Sequence, residues 1–184
     1  MRLFIAVPLP ADVRERAAAL LPPDLPGLKP VRADLMHLTL AFLGWTADER
    51  LGDVIAAAGA ATAGQGPFTL ALDHAGRFPE RGRPRVIWLG IGAGADELAR
   101  LASAVAEALR AREIRFDDRP FAAHLTLARV REDASLADAR AAGAAAESIG
   151  PLDLRCPIER VAVVQSVLSR SGPHYTERAS ARLA

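Results

Sequence analysis

The pentapeptide HLTLA stands at residues 37–41 and returns unchanged at residues 124–128, in a chain of 184 residues with only four histidines. Side chains two positions apart in a β-strand share a face, so each copy presents histidine and threonine on one side and two leucines on the other. The repeat predicts two related halves that bring matching polar side chains to one cleft. Two imidazoles that face each other in a cleft form an acid–base pair.

Strand and helix patterns alternate around the first copy. An apolar run at residues 3–7 predicts a strand, residues 11–21 a helix, and the four prolines of residues 22–30 a loop. The first motif strand is predicted at residues 35–43. Thr46 and Glu49 have the spacing of a capping box, which predicts the start of a helix that runs past Ala58.

The second half repeats this order. Strands are predicted at residues 68–73 and 86–91 with a loop at 76–84 between them, followed by a helix at 98–109. A strand is predicted to begin at Ile114 and Phe116, and the second motif strand lies at residues 121–130. The remaining predictions are a helix at 136–147 and a strand at 161–168, after which the tail from Gly172 carries little signal.

The composition limits the function classes. The formal net charge is +1, with 23 basic and 22 acidic residues, so a surface that coats nucleic acid throughout is not indicated, although a local basic groove is compatible. The lone cysteine, Cys156, excludes an intrachain disulfide and fits a reducing compartment. No signal peptide or membrane-spanning run is recognisable. We therefore expect a soluble cytoplasmic protein, monomeric by default, with one domain of two intertwined lobes over residues 1–184.

The paired His-x-Thr strands suit chemistry at phosphorus. A histidine whose pKa is near ~6.5 exchanges a proton at neutral pH, so a neutral imidazole can deprotonate an attacking water while an imidazolium protonates the departing oxygen. A threonine hydroxyl on the same face can donate a hydrogen bond to a nonbridging phosphoryl oxygen. No His-Glu-x-x-His motif, paired cysteines or acidic cluster surrounds either copy, which predicts a site without metal or cofactor.

The plain structural interpretation fits either copy taken alone. Threonine favours strands, and a single histidine is often satisfied by a backbone carbonyl. Two copies with the same phase reverse the balance, because packing seldom requires a histidine at both positions.

With these motifs the chain resembles the 2H phosphoesterases, and within them the bacterial and archaeal RNA 2′,3′-cyclic phosphodiesterases once called 2′-5′ RNA ligases. The likeness extends over most of the chain, and its parts occur in the family's order. They are residues 2–10 (RLFIAVPLP), 31–32 (VR), 37–44 (HLTLAFLG), 85–90 (RVIWLG), 120–121 (PF), 124–129 (HLTLAR) and 172–175 (GPHY).

The resemblance implies an α+β fold, a pseudo-symmetric duplication in which each lobe is a mostly antiparallel sheet with helices outside and the active-site cleft lies between the sheets. It also implies hydrolysis of a terminal 2′,3′-cyclic phosphate on RNA to a 2′-phosphomonoester. His37 is then the proton donor, His124 the proton acceptor, and Thr39 and Thr126 the phosphate-orienting hydroxyls. Ala123 stands where the family often has proline, a departure that leaves the reacting groups in place.

Further polar and aromatic residues have weaker claims. Arg129 could pair with phosphate, but regular alternation places it opposite His124, which favours a structural ion pair unless a bulge turns the strand. Trp45, Phe78 and Tyr175 are candidates for stacking on a terminal base or for packing between the lobes. The two histidines without a following threonine, His74 and His174, are predicted to be surface or structural residues.

Two alternatives stay open at this point. One is an enzyme that acts on another cyclic or 2′,5′ phosphodiester, including nucleotide metabolites or the reverse ligation of tRNA halves. The other is a non-catalytic protein that binds RNA ends. The presence of both histidines and both threonines argues against the second, because loss of one of them is a simple signature of lost catalysis.

Overall fold

The computed structural model describes residues 1–170 and 172–184. Its helices are α1 (Ala11–Ala18), α2 (Leu51–Thr62), α3 (Ala95–Arg110) and α4 (Leu136–Ser148). Its strands are β1 (Arg2–Pro8), β2 (Leu28–Pro30), β3 (His37–Trp45), β4 (Phe68–Phe78), β5 (Val86–Ile91), β6 (Leu125–Val130), β7 (Leu154–Ile158), β8 (Arg160–Ser169) and β9 (Gly172–Arg182). No helix within the described residues is both long and apolar enough to cross a bilayer.

Two antiparallel sheets organise the molecule. One has the strand order β3-β1-β8-β9 and the other the order β2-β6-β5-β4-β7. Each sheet takes strands from both ends of the chain, since β1 pairs with β8 and β2 pairs with β6. The predicted α+β class, with antiparallel sheets and helices around them, is confirmed.

The buried core explains this arrangement. Leu3, Ile5 and Val7 of β1 are fully buried, as expected for a strand that has a neighbour on each side and a covered face. Helices α2 and α3 pack against each other and on the four-stranded sheet, while α4 packs on the five-stranded sheet. The helices therefore cover the outer faces and leave the inner faces of the two sheets directed toward the cleft.

The predicted loop at residues 76–84 is wrong at its start, because β4 continues to Phe78. By local pattern alone, Gly76 favours a turn. In the structure it stays in the ladder opposite Trp88, whose ring lies so close that a Cβ at Gly76 would stand 2.4 Å from it. Glycine inside a strand often marks such a close approach.

The predicted capping box at Thr46 and Glu49 is also wrong. A short 3₁₀ turn, Asp48–Arg50, leads into α2, and no side chain in the described part of the chain caps that helix. The start of the chain contacts this segment instead: the Thr46 amide donates to the Met1 carbonyl at 2.8 Å, and the Met1 ammonium donates to the Thr46 carbonyl at 2.7 Å and contacts Asp48 at 2.8 Å. A capping box does occur at α4, between Ser135 and Asp138.

The strand prediction at Ile114 and Phe116 is wrong, because residues 111–124 form a turn and an irregular segment. Ile114 is buried in the core. The Arg110 guanidinium carbon lies 5.3 Å from the centroid of the Phe116 ring. The apolar alternation therefore marks two anchor points of a loop. This segment is also hydrogen-bonded to the first motif strand, because the Asp117 amide donates to the Phe42 carbonyl at 2.8 Å.

Two further segments differ from the prediction. The proline-rich loop ends in the short strand β2, and the tail from Gly172 forms β9, an edge strand along β8. Proline is tolerated at an edge, and β2 is the edge strand beside β6. The motif strands also begin later than predicted, at His37 and at Leu125.

Candidate active site

A cleft of about 680 Å³ separates the inner faces of the two sheets, and both motif strands line it. From the four-stranded sheet come side chains of β1, β3, β8 and β9. From the five-stranded sheet come side chains of β2 and β6. The polar and aromatic side chains of the lining are Arg2, Phe4, Lys29, Arg32, His37, Thr39, Phe42, His124, Thr126, Arg129, Ser166 and Tyr175.

The structure brings together all four residues predicted from the repeat. His37 and Thr39 line one wall, and His124 and Thr126 line the other. The leucines between and after them are buried in the core, as the alternation requires; these are Leu38, Leu40, Leu125 and Leu127. One face of each motif strand thus packs in the core, and the other face lines the cleft.

Both motif strands carry a bulge at the same position of the pentapeptide. In β3 the pairing with β1 passes from Thr39 to Ala41 and skips Leu40. In β6 the pairing with β5 passes from Thr126 to Ala128 and skips Leu127. An extra residue in one strand reverses the alternation beyond it.

Each bulge determines on which face of the sheet the side chain that follows it lies. Regular alternation would place Phe42 and Arg129 opposite the histidines, but both line the cleft. The prediction of a structural ion pair for Arg129 is therefore replaced by the bulged alternative, with its guanidinium on the cleft side. Phe42, its counterpart in β3, lies beneath the guanidinium of Arg2 at 5.1 Å.

Each imidazole is held by its own backbone. The Nδ1 of His37 lies 2.8 Å from the Leu35 carbonyl, and the Nδ1 of His124 lies 2.7 Å from the Ala122 carbonyl. A carbonyl oxygen only accepts hydrogen bonds, so Nδ1 carries a hydrogen in both rings. The Nε2 atom of each ring is therefore the one that gains or loses a proton during a reaction.

The surroundings of His37 are aromatic. Phe4 stacks on the ring with centroids 4.6 Å apart, and Tyr175 meets it edge-on at 5.4 Å. Burial lowers the pKa of His37 below 6.5, the Leu35 hydrogen bond opposes this, and the nearby His124 lowers it further. On the other wall, the Phe78 ring meets His124 edge-on at 5.3 Å.

The lining is basic. Arg2, Lys29, Arg32 and Arg129 contribute to it, and no carboxylate does among the residues described. Arg32 is engaged with Asp34 at 2.6 Å. Burial raises the pKa of the Tyr175 phenol while the charges of Arg129 and Arg2 oppose that rise, so both guanidinium groups act on this corner of the cleft. Such a site favours an anion.

The remaining candidates fall in different places. Tyr175 lies in the site, and Phe78 lies beside His124 without lining the cleft. Trp45, 85% exposed, stands outside the lining, so the alternative that it packs between the lobes is wrong. His74 is held by Asp73 on β4, and His174 lies exposed on β9.

No role was assigned from the sequence to six of the polar and aromatic lining residues, namely Arg2, Phe4, Lys29, Arg32, Phe42 and Ser166. Arg2 and Phe4 alternate with the buried Leu3 and Ile5, a pattern that could have placed them on the cleft face of β1. Lys29 was hidden in the proline-rich segment, and nothing in the sequence marked Ser166. Within residues 1–170 and 172–184, no three His, Cys, Asp or Glu side chains cluster as metal ligands.

Residues 9–169 match the model of the 2′-5′ RNA ligase superfamily. The chain is 34% identical to an RNA 2′,3′-cyclic phosphodiesterase of Archaeoglobus fulgidus, covering 96% of this chain and 97% of the relative. It is 37% identical to the protein of the same name in Thermus thermophilus, covering 96% and 87%. A crystal structure of a Thermus thermophilus protein superposes with a TM-score of 0.81 at 33% identity, covering 100% and 98%. Escherichia coli LigT complexed with 3′-AMP gives 0.76 at 31% identity, covering 99% and 97%.

Proposed function

The chain belongs to the 2′-5′ RNA ligase superfamily, and from this premise we propose that it is an RNA 2′,3′-cyclic phosphodiesterase that forms a 2′-phosphomonoester. The observation that carries the proposal is the pair of His-x-Thr strands on opposite walls of one basic cleft. Two relatives that carry this enzyme name each match over 96% of the chain.

The reaction needs one proton taken and one proton given. A water molecule attacks phosphorus as His124 removes its proton, and the bond between phosphorus and O3′ breaks as His37 protonates the departing oxygen. The phosphate stays on O2′. Each proton transfer of this kind contributes about 10² to 10⁴ in rate. Thr39 and Thr126 donate hydrogen bonds to nonbridging oxygens, and Arg129 supplies the charge that offsets the negative charge there.

The role of His37 as the acid runs against its environment in the free protein, where burial favours the neutral ring and lowers the pKa. The substrate changes that balance. A phosphodiester anion beside the imidazole stabilises its protonated form and raises its pKa. We therefore propose that His37 acquires its proton as the substrate binds, while the Nδ1 hydrogen bond to Leu35 keeps the ring in place.

We propose that the two histidines act without a metal or cofactor. Acid, base and phosphate-binding groups are all present as side chains of the cleft, so no Lewis acid is required to complete the set. We also propose that the protein works as a monomer in the cytoplasm, a compartment compatible with its single, buried cysteine, Cys156.

The experiment that tests the function uses a short RNA that ends in a 2′,3′-cyclic phosphate, incubated with the protein in EDTA. Phosphorus NMR identifies the product isomer. We expect a 2′-phosphate from the parent and from His174→Ala, a matched histidine outside the cleft, and none from His124→Ala. A 3′-phosphate would overturn the bond of cleavage, and activity lost only in EDTA would overturn the metal-free mechanism. No turnover by the parent would overturn the function.

A further inference from the structure

We propose that three ring side chains outside the cleft lining, Phe78, Trp88 and His74, bind the bases of single-stranded RNA upstream of the reacting end. We call them the aromatic row. The proposal rests on the proposed function and adds a binding site for the part of the substrate that does not react. It concerns the inner face of β4 and β5, next to the motif strand β6.

The aromatic row begins at the active site. Phe78 meets His124 edge-on at 5.3 Å, and Trp88 lies 4.9 Å from Phe78 between ring centroids. Trp88 is the ladder partner of Thr126, so both side chains lie on the same face of the sheet. His74 continues the row at 5.7 Å from Trp88. A nucleic acid strand that leaves the phosphate site across this face meets the three rings in turn.

Two glycines make room for the rings. A Cβ at Gly76 would stand 2.4 Å from the Trp88 ring, and a Cβ at Gly90 would stand 2.1 Å from the His74 ring. Each ring thus reaches across to the glycine of the neighbouring strand. Glycine weakens a strand interior, so a reciprocal pair of this kind indicates that the rings must lie close to the sheet. It holds them in place on the face that adjoins the cleft.

The outer end of the aromatic row is accessible and oriented. The His74 side chain is 56% exposed, and its Nδ1 lies 2.5 Å from the Asp73 carboxylate, which fixes the ring. Phe78 and Trp88 are half-buried. Stacking on rings does not depend on base identity, because every base has a π face. We therefore expect upstream bases to be held with little sequence preference.

Charge favours the same path. The cleft at one end of the aromatic row has a basic lining. The connection between β4 and β5 carries the exposed Arg81 and Arg85 together with Glu80, and the Arg85 amide donates to the Phe78 carbonyl at 2.7 Å. The carboxylate at the far end, Asp73, is engaged with His74. Phosphates that follow the terminal one therefore meet cationic side chains near the cleft, as sites for single strands require.

The first test compares a 2′,3′-cyclic mononucleotide with a tetranucleotide that ends in the same cyclic nucleotide. We expect the parent to have a lower KM for the tetranucleotide. Trp88→Leu and His74→Ala should each raise that KM about 5- to 50-fold, with kcat little changed, since stacking of one base contributes about that factor. The preference for the tetranucleotide should return in His74→Phe, which keeps a ring without the Asp73 hydrogen bond. Trp45→Ala removes an exposed ring elsewhere and is the matched control.

The second test measures the fluorescence of Trp88. The chain has two tryptophans, so Trp45→Phe leaves Trp88 as the only one. In this background with His37→Ala, the tetranucleotide should quench the fluorescence, and the mononucleotide should quench it far less. Binding of the tetranucleotide by anisotropy without quenching would overturn the proposal, as would a parent with no preference for length. Absence of hydrolysis with quenching intact would overturn the proposed function and leave the aromatic row standing.

Discussion

His37 and His124 begin the same five residues, on strands with the same bulge, but they occupy different surroundings. Phe4 and Tyr175 pack against His37 and burial lowers its pKa, whereas His124 meets the edge of Phe78. The residue that the bulge turns into the cleft also differs: it is Phe42 in β3 and Arg129 in β6.

The comparison separates what the pentapeptide determines from what its neighbours determine. Both copies produce the same backbone path, the same Nδ1 hydrogen bond to a carbonyl two residues earlier, and the same buried leucines. The charge and polarity around each imidazole come from residues outside the pentapeptide, on other strands and beyond the bulge of the same strand. Equal sequences thus stand in unequal surroundings, which is the difference that the proposed acid and base roles require.

The largest expected effect comes from removing either imidazole. We expect His37→Ala and His124→Ala each to lower kcat by about 10² to 10⁴, the usual contribution of a proton transfer. The double variant should lose little more than the worse single one, because the two groups act in one transition state. Steady-state kinetics on a cyclic-ended RNA measures this, with His174→Ala as control. A full product of the two losses would mean that the histidines act independently.

A substrate with sulfur in place of O3′ should break the symmetry between the two histidines. A thiolate leaves without being protonated, so the acid becomes dispensable while the base does not. On this substrate we expect His37→Ala to regain most of its activity, by about 10² or more, and His124→Ala to stay inactive. Rescue of His124→Ala instead would exchange the two roles.

The two residues beyond the bulges should differ in kind. Arg129→Ala removes a guanidinium that we propose contacts the phosphate, and it should lower kcat/KM by about 10- to 100-fold, or roughly 1.5 to 3 kcal/mol. Phe42→Ala removes a ring and should mainly raise KM by a few-fold. Kinetics with a 2′,3′-cyclic mononucleotide compares them. Equal losses in kcat would show that Phe42 does more than contact the substrate.

The smallest expected effect is on the pH dependence. His37 must be protonated to act as the acid, and burial lowers its pKa, so kcat/KM should fall as the pH rises through a value below 6.5. Tyr175→Ala opens the ring to water and raises its pKa, which should move this alkaline limb to higher pH. A pH profile of kcat/KM for parent and variant measures the shift. Movement toward lower pH would contradict the assignment of this limb to His37.

The sequence predicted the site better than it predicted the ends of the elements. The four motif residues could be predicted because period-two alternation is local, and the leucines that accompany them have no other place than the core. Arg129 could be assigned only conditionally. The bulge at Leu127 depends on the register with β5, which no local pattern encodes.

The wrong predictions have a common physical origin: contacts with residues far away in the sequence override the local sequence pattern. The Thr46 amide, which would donate to Glu49 in the predicted capping box, donates to the Met1 carbonyl instead. The ring of Trp88 requires Gly76 within a strand, where the local pattern predicts a turn. The tail forms β9 because it pairs with the edge of β8, although the tail itself carries little apolar periodicity.

The bulges of β3 also bear on whether this edge of the sheet can pair with another chain. β3 is an edge strand of nine residues, and an edge of that length is open to pairing with another chain. Two register shifts interrupt its ladder with β1, and the amide of Asp117 occupies the carbonyl of Phe42. A straight incoming strand finds neither a regular spacing nor a free row of acceptors. The irregularity that directs Phe42 into the cleft thus also makes the same edge a poor template for pairing with another strand.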